Sequence, residues 1–163
     1  AIPLAIAVAA GSFLAGEYGA RGAGDIPEGH YADENMKETV VPNRNMVMLS
    51  LATSYAIGIK AKKLFYGAHS GDHDIYPDCR REFVEQLSQV IKICDWSEIE
   101  LQAPYLAIDK GDIVIKGKEL YVDYSMTWTC YKGKGKACGK CGSCVERLEA
   151  FEKAGFSDPV EYE

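Results

Sequence analysis

Apolar side chains recur at two different spacings along the chain, and these spacings predict helices and strands in alternation. The first helix is expected after a turn-like stretch at residues 40–45. Its apolar positions follow helical spacing: Met46, Leu49, Ala52, Tyr55 and Ala56. Asn43 or Asn45 is the expected N-cap, because an asparagine side chain can accept hydrogen bonds from the free amides of a first turn.

A short apolar run at Lys63–Ala68 predicts a buried strand, and a polar loop follows from His69 to Asp78. The helix after this loop has the clearest pattern in the chain. Asp78 is expected to cap it. One apolar stripe marks its buried face: Phe83, Leu87, Val90, Ile91 and Cys94.

The second half of the chain continues the alternation. Residues 98–101 predict a second strand that ends at Pro104, and Asp109 is placed to cap a helix that runs to about Leu120. A last helix is expected from near Gly142 to Ala154, where Gly155 supplies a left-handed C-cap.

Helix, strand, helix, strand and helix in this order are typical of an α/β domain with a parallel sheet and flanking helices. Ligands of such sheets bind beyond the carboxyl ends of the strands. The loop after Lys63–Ala68 is therefore the first place to expect a site.

The chain has 163 residues and a formal net charge of −6, which argues against a general binder of phosphate backbones, so no direct nucleic acid partner is expected. The longest uncharged stretch, Ala1–Gly16, is shorter than the roughly 20 apolar residues that span a bilayer. It also has neither the basic start nor the cleavage pattern of a signal peptide. We therefore expect a cytoplasmic protein without a membrane-spanning segment.

Four of the six cysteines are clustered, with the spacing Cys130-x7-Cys138-x2-Cys141-x2-Cys144. Zn²⁺ favours four thiolates in a tetrahedron, and steps this short let one loop and one helix start supply adjacent corners. The pattern predicts a structural zinc site with no coordination position open to water. A redox-active cysteine pair and an iron–sulfur cluster are the alternatives.

The loop Gly67–Arg80 contains two His, three Asp and one Cys. These side chains could form a metal site, a Cys–His nucleophile pair or a binding loop for a polar ligand; an ordinary polar surface loop is the alternative. Gly67 and Gly71 favour a ligand, because backbone close to a ligand favours residues without a Cβ. The role of Cys79 stays open.

Val41–Asn45 precedes the first helix, whose free amides could bind an anion, and Arg44 could add a bidentate contact to phosphate or carboxylate. A capped helix start with a surface arginine is the alternative. Lys134 and Cys141 stand where a Walker A motif requires Gly and Ser or Thr, so residues 133–140 do not form one.

Taken in order, these motifs resemble the 7-cyano-7-deazaguanine synthases, which belong to the adenine-nucleotide α-hydrolase superfamily. The matches run over residues 41–144, about two thirds of the chain, and the pentapeptide and the cysteine set are their most specific parts. They are Val41–Asn45 (VPNRN), Gly67–Asp72 (G-x-H-x-G-D), Tyr76–Arg80 (YPDCR), Pro104–Lys110 (P-x4-D-K), Thr129–Tyr131 (TCY) and the four cysteines.

The resemblance implies a Rossmann-like sheet, a structural zinc near the C-terminus and a homodimer. It also implies an ATP-dependent ligase, with Mg²⁺, that adenylates the carboxylate of 7-carboxy-7-deazaguanine. Ammonia then displaces AMP to give an amide, and the amide is activated and dehydrated to the nitrile preQ0 for queuosine or archaeosine biosynthesis.

The resemblance also implies roles for individual residues. Arg44, with Asn43 and Asn45, would contact phosphate or substrate, and Arg80 and Lys110 would stabilise the adenylate. The remaining positions would form the pocket for the purine-like substrate: Gly67, Asp72, Tyr76 and Asp78.

One feature of the family has no counterpart here. Members carry a pyrophosphate-binding loop, S-G-G-x-D-S, after an N-terminal strand, and Gly11-Ser12 does not match it. We expect either an incomplete sequence or a lost loop. A lost loop would favour a zinc-stabilised binding module without catalysis, and a relative that joins a deazaguanine to another amine is a further alternative.

The chain, residues 1–163, is expected to form a single α/β domain in which residues 130–155 make a zinc-binding subregion. Residues 1–25 are a low-complexity start, since eight are Ala and five are Gly.

Overall fold

The computed structural model describes residues 26–41, 43–132 and 135–163, so the low-complexity start and Lys134 lie outside the described residues. Helices and strands follow one another in the predicted order. They are α1 (Arg44–Gly58), β1 (Lys63–Phe65), α2 (Arg81–Ile93), β2 (Glu100–Gln102), α3 (Lys110–Glu119) and α4 (Gly142–Lys153). Short 3₁₀ helices lie between or before them, at Glu34–Thr39, Ser70–Asp72, Pro77–Cys79 and Tyr124–Met126.

The two strands pair in parallel, with Lys63 opposite Glu100 and Phe65 opposite Gln102, which confirms the predicted α/β class with a small parallel sheet. Both strands are shorter than predicted. The prediction of a buried first strand was wrong, because Phe65 is 63% exposed. The apolar run is divided between the strand and the loop after it, and Ala68 is the residue of that run that enters the core.

The main core lies between α1, α2 and the sheet, and the predicted helical stripes are only partly right. Tyr55 on α1 is 60% exposed, and Thr53 takes the buried position one turn after Leu49. On α2, Val90 and Cys94 are exposed, while Val84 is buried with Leu87 and Ile91. A step of one residue turns the side chain by about 100° around a helix. When the buried face is centred on Ile91, the side chain of Val90 is therefore exposed to solvent.

Two of the predicted helix ends are confirmed. Asp109 Oδ1 accepts a hydrogen bond from the Asp112 amide at 3.0 Å, and the Asp112 carboxylate accepts one from the Asp109 amide at 3.3 Å. This reciprocal pair is a capping box. At the end of α4, Gly155 has a φ of +71°, the left-handed conformation that a C-terminal glycine supplies.

Two other predicted caps were wrong. Asn43 occupies the N-cap position of α1 with a φ of 59°, but its side chain makes no capping hydrogen bond, and Asn45 lies inside the helix. Asp78 does not cap α2, which begins after Arg80. Instead its carboxylate accepts a hydrogen bond from the Asn45 amide at 3.1 Å and so joins the two helix starts.

None of the helices in the three described ranges is long and apolar enough to cross a membrane. The expected single domain and cytoplasmic location stay predictions.

A buried ion pair fixes the C-terminal segment against α4. Arg147 Nε and Nη2 donate to the Asp158 carboxylate at 2.6 and 2.8 Å, and the two side chains are 6% and 3% exposed. The Tyr162 hydroxyl donates to the same carboxylate. Burial acts to raise the pKa of Asp158, but its hydrogen bonds with Arg147 and Tyr162 lower the pKa below the usual 3.8.

We expect Asp158→Asn to lower the free energy of unfolding by about 3–5 kcal/mol, because it leaves a buried guanidinium without its counter-charge. Glu161→Gln is the matched control, since Glu161 pairs with Lys136 at the surface and should change stability by less than about 1 kcal/mol. Denaturant titrations of both variants would measure this, and equal effects would contradict the assignment. In the parent chain, the lowered pKa means that the stabilisation is present above pH 3.8 and is lost as pH falls through the folded value.

Candidate functional site

A polar cleft of about 690 Å³, including its open mouth, lies at the carboxyl ends of the two strands. The loop after β1, the first residue of α3 and the first turns of α4 form its walls, and the segment before α1 adds a further side. Its chemically active side chains are Thr39, Arg44, Asp72, Tyr76, Lys110, Tyr131, Ser143 and Glu146.

A group of charged side chains lies at one wall of the cleft. The Lys110 ammonium is paired with Glu146 Oε2, and His69 Nε2 lies 3.8 Å from Glu146 Oε1 and 3.4 Å from Asp72 Oδ2. His69 and Glu146 are buried, with side chains that are 8% and 10% exposed. The ligand-type atoms of His69, Asp72 and Glu146 all lie within 4.8 Å of one another.

The space for this group depends on Gly71. A Cβ at this position would lie 2.8 Å from Glu146 Oε1 and 3.1 Å from the His69 ring. Gly71 therefore makes room for protein side chains at the wall of the cleft. A Cβ at Gly67 would have no heavy atom within 4 Å, and Gly67 does not line the cleft. The expectation that these glycines lie close to a ligand stays a prediction.

Tyr76 lies on another wall, where its hydroxyl and the Thr39 hydroxyl are 2.6 Å apart. Burial raises the pKa of Tyr76, so the phenol stays protonated and can both donate and accept hydrogen bonds. Arg44 is exposed at the same cleft, and its positive charge acts against burial by favouring a lower pKa of Tyr76.

Besides Gly67 and Asn45, three predicted site residues do not line the cleft. Arg80 uses its guanidinium within its own loop, donating to the carbonyl oxygens of His73 at 2.7 Å and Asp74 at 3.4 Å. Asn43 is exposed at the start of α1, and Asp78 is held by the Asn45 amide.

Asn45 contacts Cys79, which is one of the residues that line the cleft. The Asn45 side-chain amide donates to Cys79 Sγ at 3.5 Å, and the Tyr66 hydroxyl lies 3.2 Å from the same sulfur. Burial raises the pKa of Cys79 to about 11. A thiol in this state is a packing group of the core rather than a nucleophile, so the Cys–His interpretation of the loop is not supported.

The four clustered cysteines are buried, none is in a disulfide, and all four Sγ atoms lie within 4.8 Å of one another. The Sγ atoms of Cys138 and Cys144 are 3.9 Å apart. A tetrahedron with metal–sulfur distances of about 2.3 Å has edges of about 3.8 Å, so this spacing fits one metal ion.

Backbone amides donate hydrogen bonds to the sulfurs of this cluster. Cys138 N donates to Cys130 Sγ at 3.3 Å, and Cys141 N donates to Cys138 Sγ at 3.3 Å. Burial raises the pKa of Cys141 and Cys144, so a bound cation is what would hold them as thiolates. The donor set can hold a metal such as zinc.

The sequence interpretation missed Glu146 and Thr39 as residues of the cleft. Glu146 lies one helical turn from both Gly142 and Ala150, and all three are buried. A carboxylate on the buried face of a helix was the available signal, because such a group is almost never buried without a partner. No comparable sequence pattern marks Thr39. This residue ends the 3₁₀ helix Glu34–Thr39, which is not part of the sheet or of the α-helices that flank it.

The fold and these two sites define the class: an α/β protein with a polar cleft at the carboxyl ends of a parallel sheet and, beside it, a cluster of four cysteines that can hold a metal ion. The family model described as queuosine biosynthesis protein QueC matches residues 12–155. The chain belongs to this family, as its motifs predicted.

Curated relatives share a name as well as sequence. Proteins named 7-cyano-7-deazaguanine synthase from Caldicellulosiruptor saccharolyticus and Methanoregula boonei are 65% and 66% identical over 138 and 139 residues. One from Pseudoalteromonas atlantica is 59% identical over 139 residues. Each alignment covers 85% of this chain but only 61%, 64% and 64% of those relatives, so the chain spans less than two thirds of their length.

We expect Gly71→Ala to lower the free energy of unfolding by about 1–3 kcal/mol, because the added Cβ must displace Glu146 and His69. Gly67→Ala is the matched control in the same loop and should be nearly neutral or slightly stabilising. Denaturant titration of the two variants checks this. An unchanged free energy of unfolding in Gly71→Ala would mean that Glu146 and His69 move aside without cost.

Proposed function

We propose that this protein is an ATP-dependent ligase that converts 7-carboxy-7-deazaguanine and ammonia to 7-cyano-7-deazaguanine through an adenylated intermediate. The observation that carries the proposal is the 59–66% identity to proteins named for this synthase. The cleft supports it, because it combines two cationic side chains with neutral and acidic hydrogen-bonding groups.

The proposed roles follow the positions of the side chains. A carboxylate is a poor electrophile, and transfer of AMP to it supplies a leaving group; the site must then hold the reactants and stabilise charge that develops on oxygen. Lys110 is the candidate for that stabilisation, and Arg44 is the candidate contact to phosphate. Asp72 and Tyr76 are candidates for the purine-like ring. Arg80 stays a second candidate for that stabilisation: two of its N–H groups bind carbonyl oxygens of its own loop, and the guanidinium has three more.

We further propose that the four cysteines hold a structural zinc ion. Four thiolates complete a tetrahedral site, so this ion would stabilise the fold and take no part in the reaction. ATP with Mg²⁺ and a homodimer, both implied by the resemblance, belong to the same proposal.

Release of AMP tests the ligase. We expect the whole gene product containing this chain to form AMP only when 7-carboxy-7-deazaguanine and ammonium are both present. Arg44→Met should lower kcat/KM by about tenfold or more, because it removes a charged contact to phosphate. Arg81→Met is the control, since Arg81 is exposed and does not line the cleft. Absence of substrate-dependent AMP would reject the ligase and favour a binding module.

The zinc proposal predicts one equivalent of zinc per chain by elemental analysis. Removing the ion with a strong chelator should lower the melting temperature, because binding of a structural metal is coupled to folding. Cys144→Ser should abolish retention of the metal, whereas Cys94→Ser should retain it, since Cys94 is exposed and outside the cluster. A melting temperature unchanged after verified metal removal would contradict a structural role.

A further inference from the structure

Thr39 and Tyr76 belong to a row of three oxygen atoms that ends in the cleft. The Thr39 hydroxyl donates to the Met36 carbonyl oxygen at 2.7 Å, and the Thr39 and Tyr76 hydroxyl oxygens are 2.6 Å apart. Both distances are those of ordinary O–H···O hydrogen bonds. Thr39 and Tyr76 both line the cleft. The direction of these two bonds therefore decides what the phenol offers to a ligand.

The chemistry of the three groups fixes the positions of the two hydroxyl protons. A carbonyl oxygen only accepts, so the contact with Met36 uses the single proton of Thr39. The Thr39 oxygen can then only accept in its contact with Tyr76, and the phenol proton lies in that bond. The reverse assignment would leave the Thr39 and Met36 oxygens 2.7 Å apart with no proton between them. Tyr76 is therefore the donor and Thr39 the acceptor.

This direction makes Tyr76 a hydrogen-bond acceptor toward the cleft. Its one proton is used by Thr39, and in the part of the chain that the structure describes its oxygen accepts from no other group. Burial raises the pKa of Tyr76, so the phenol keeps this proton at neutral pH. What the hydroxyl can offer a ligand is a lone pair, which binds an N–H or O–H donor.

Asp72 supplies a second acceptor near Tyr76. The Tyr76 amide donates to the Asp72 carbonyl oxygen at 2.9 Å, so the backbone holds the two residues one turn apart. Both line the cleft, and the charge of the Asp72 carboxylate acts on the phenol by favouring a higher pKa of Tyr76. An ionised carboxylate has acceptors and no donor. The two side chains together suit a ligand edge that carries two N–H donors.

A guanine-type ring has such an edge. Its N1–H and its exocyclic 2-amino group are adjacent donors, whereas its O6 is an acceptor. We propose that Thr39 is a positioning residue that keeps Tyr76 an acceptor, and that Tyr76 and Asp72 thereby select the donor edge of the substrate base. The inference rests on the proposed function and adds to it a residue that determines which purine-like rings the cleft binds.

Two bases that differ at one donor provide the test. They are 7-carboxy-7-deazaguanine and the analogue in which hydrogen replaces the 2-amino group. Calorimetry on the whole gene product containing this chain, with a non-hydrolysable ATP analogue present, gives the dissociation constant of each. The parent should bind the amino compound about tenfold or more tightly, because the analogue leaves an acceptor of the cleft unpaired.

Thr39→Val removes the acceptor of the phenol proton and nearly keeps the size of the side chain. The phenol can then turn its proton toward the ligand, so the ratio of the two dissociation constants should fall by about threefold or more. Tyr76→Phe should lower the ratio equally, and the double variant should lower it no further, because Thr39 acts through Tyr76. Thr39→Ser restores the hydroxyl and should keep the ratio within about twofold of the parent value.

Thr53→Val is the matched control. The Thr53 hydroxyl also donates to a carbonyl oxygen of its own helix, that of Leu49 at 2.7 Å, but Thr53 is buried in α1 and does not line the cleft. This variant should leave the ratio of the two dissociation constants unchanged, whatever it does to stability.

A parent ratio near one would overturn the inference and leave the proposed function intact. Equal weakening of both bases in Thr39→Val would also overturn it, because that is the result of a structural role alone. An unchanged ratio in Tyr76→Phe would overturn it by itself, so the inference stays testable if Thr39→Val does not fold. A parent that shows the ratio but forms no AMP with ATP, 7-carboxy-7-deazaguanine and ammonium would reject only the ligase. A parent that binds neither base would reject both.

Discussion

The buried carboxylate of Glu146 is the constraint on which the arrangement of the cleft depends. A carboxylate removed from water needs a cation and hydrogen-bond donors close by, and this chain supplies them from two other segments. Lys110 comes from the start of α3, and His69 from the loop after β1. Satisfying one buried charge therefore draws α4, α3 and the end of the sheet together, and the cleft lies where they meet.

Helix α4 also joins the cleft to the metal site. Cys141 and Cys144 lie at its start with their sulfurs in the cluster, and Glu146 is two residues further on. Since a helix fixes the angle between successive side chains, a metal ion bound by these cysteines would set the rotation of the first turn and with it the direction of Glu146. Arg147, the next residue, is paired with Asp158 of the C-terminal segment, and this ion pair constrains the same turn. A metal ion held by the four cysteines would thereby act on the geometry of the wall.

Local features were predictable from the sequence because they are decided within a few residues. The capping box at Asp109 and the left-handed Gly155 depend on their own turns, and both were predicted. The exposure of Phe65, Tyr55 and Val90 was not, since apolar character shows that a side chain can be buried but not which neighbours arrive to bury it. The parallel pairing of the strands followed from element order alone.

The cleft itself depends on contacts between residues far apart in sequence. Lys110 and Glu146 are 36 positions apart, and Thr39 and Tyr76 are 37 apart. A motif marks a loop as chemically rich, yet side chains within it can face opposite ways: Asp72 faces the cleft, while Arg80 binds the carbonyl oxygens of its own loop. The arginine was the more attractive candidate by charge alone. The direction of each side chain depends on the acceptors that the folded backbone brings near it, and the sequence does not show them: two of the five N–H donors of Arg80 find carbonyl oxygens in its own loop.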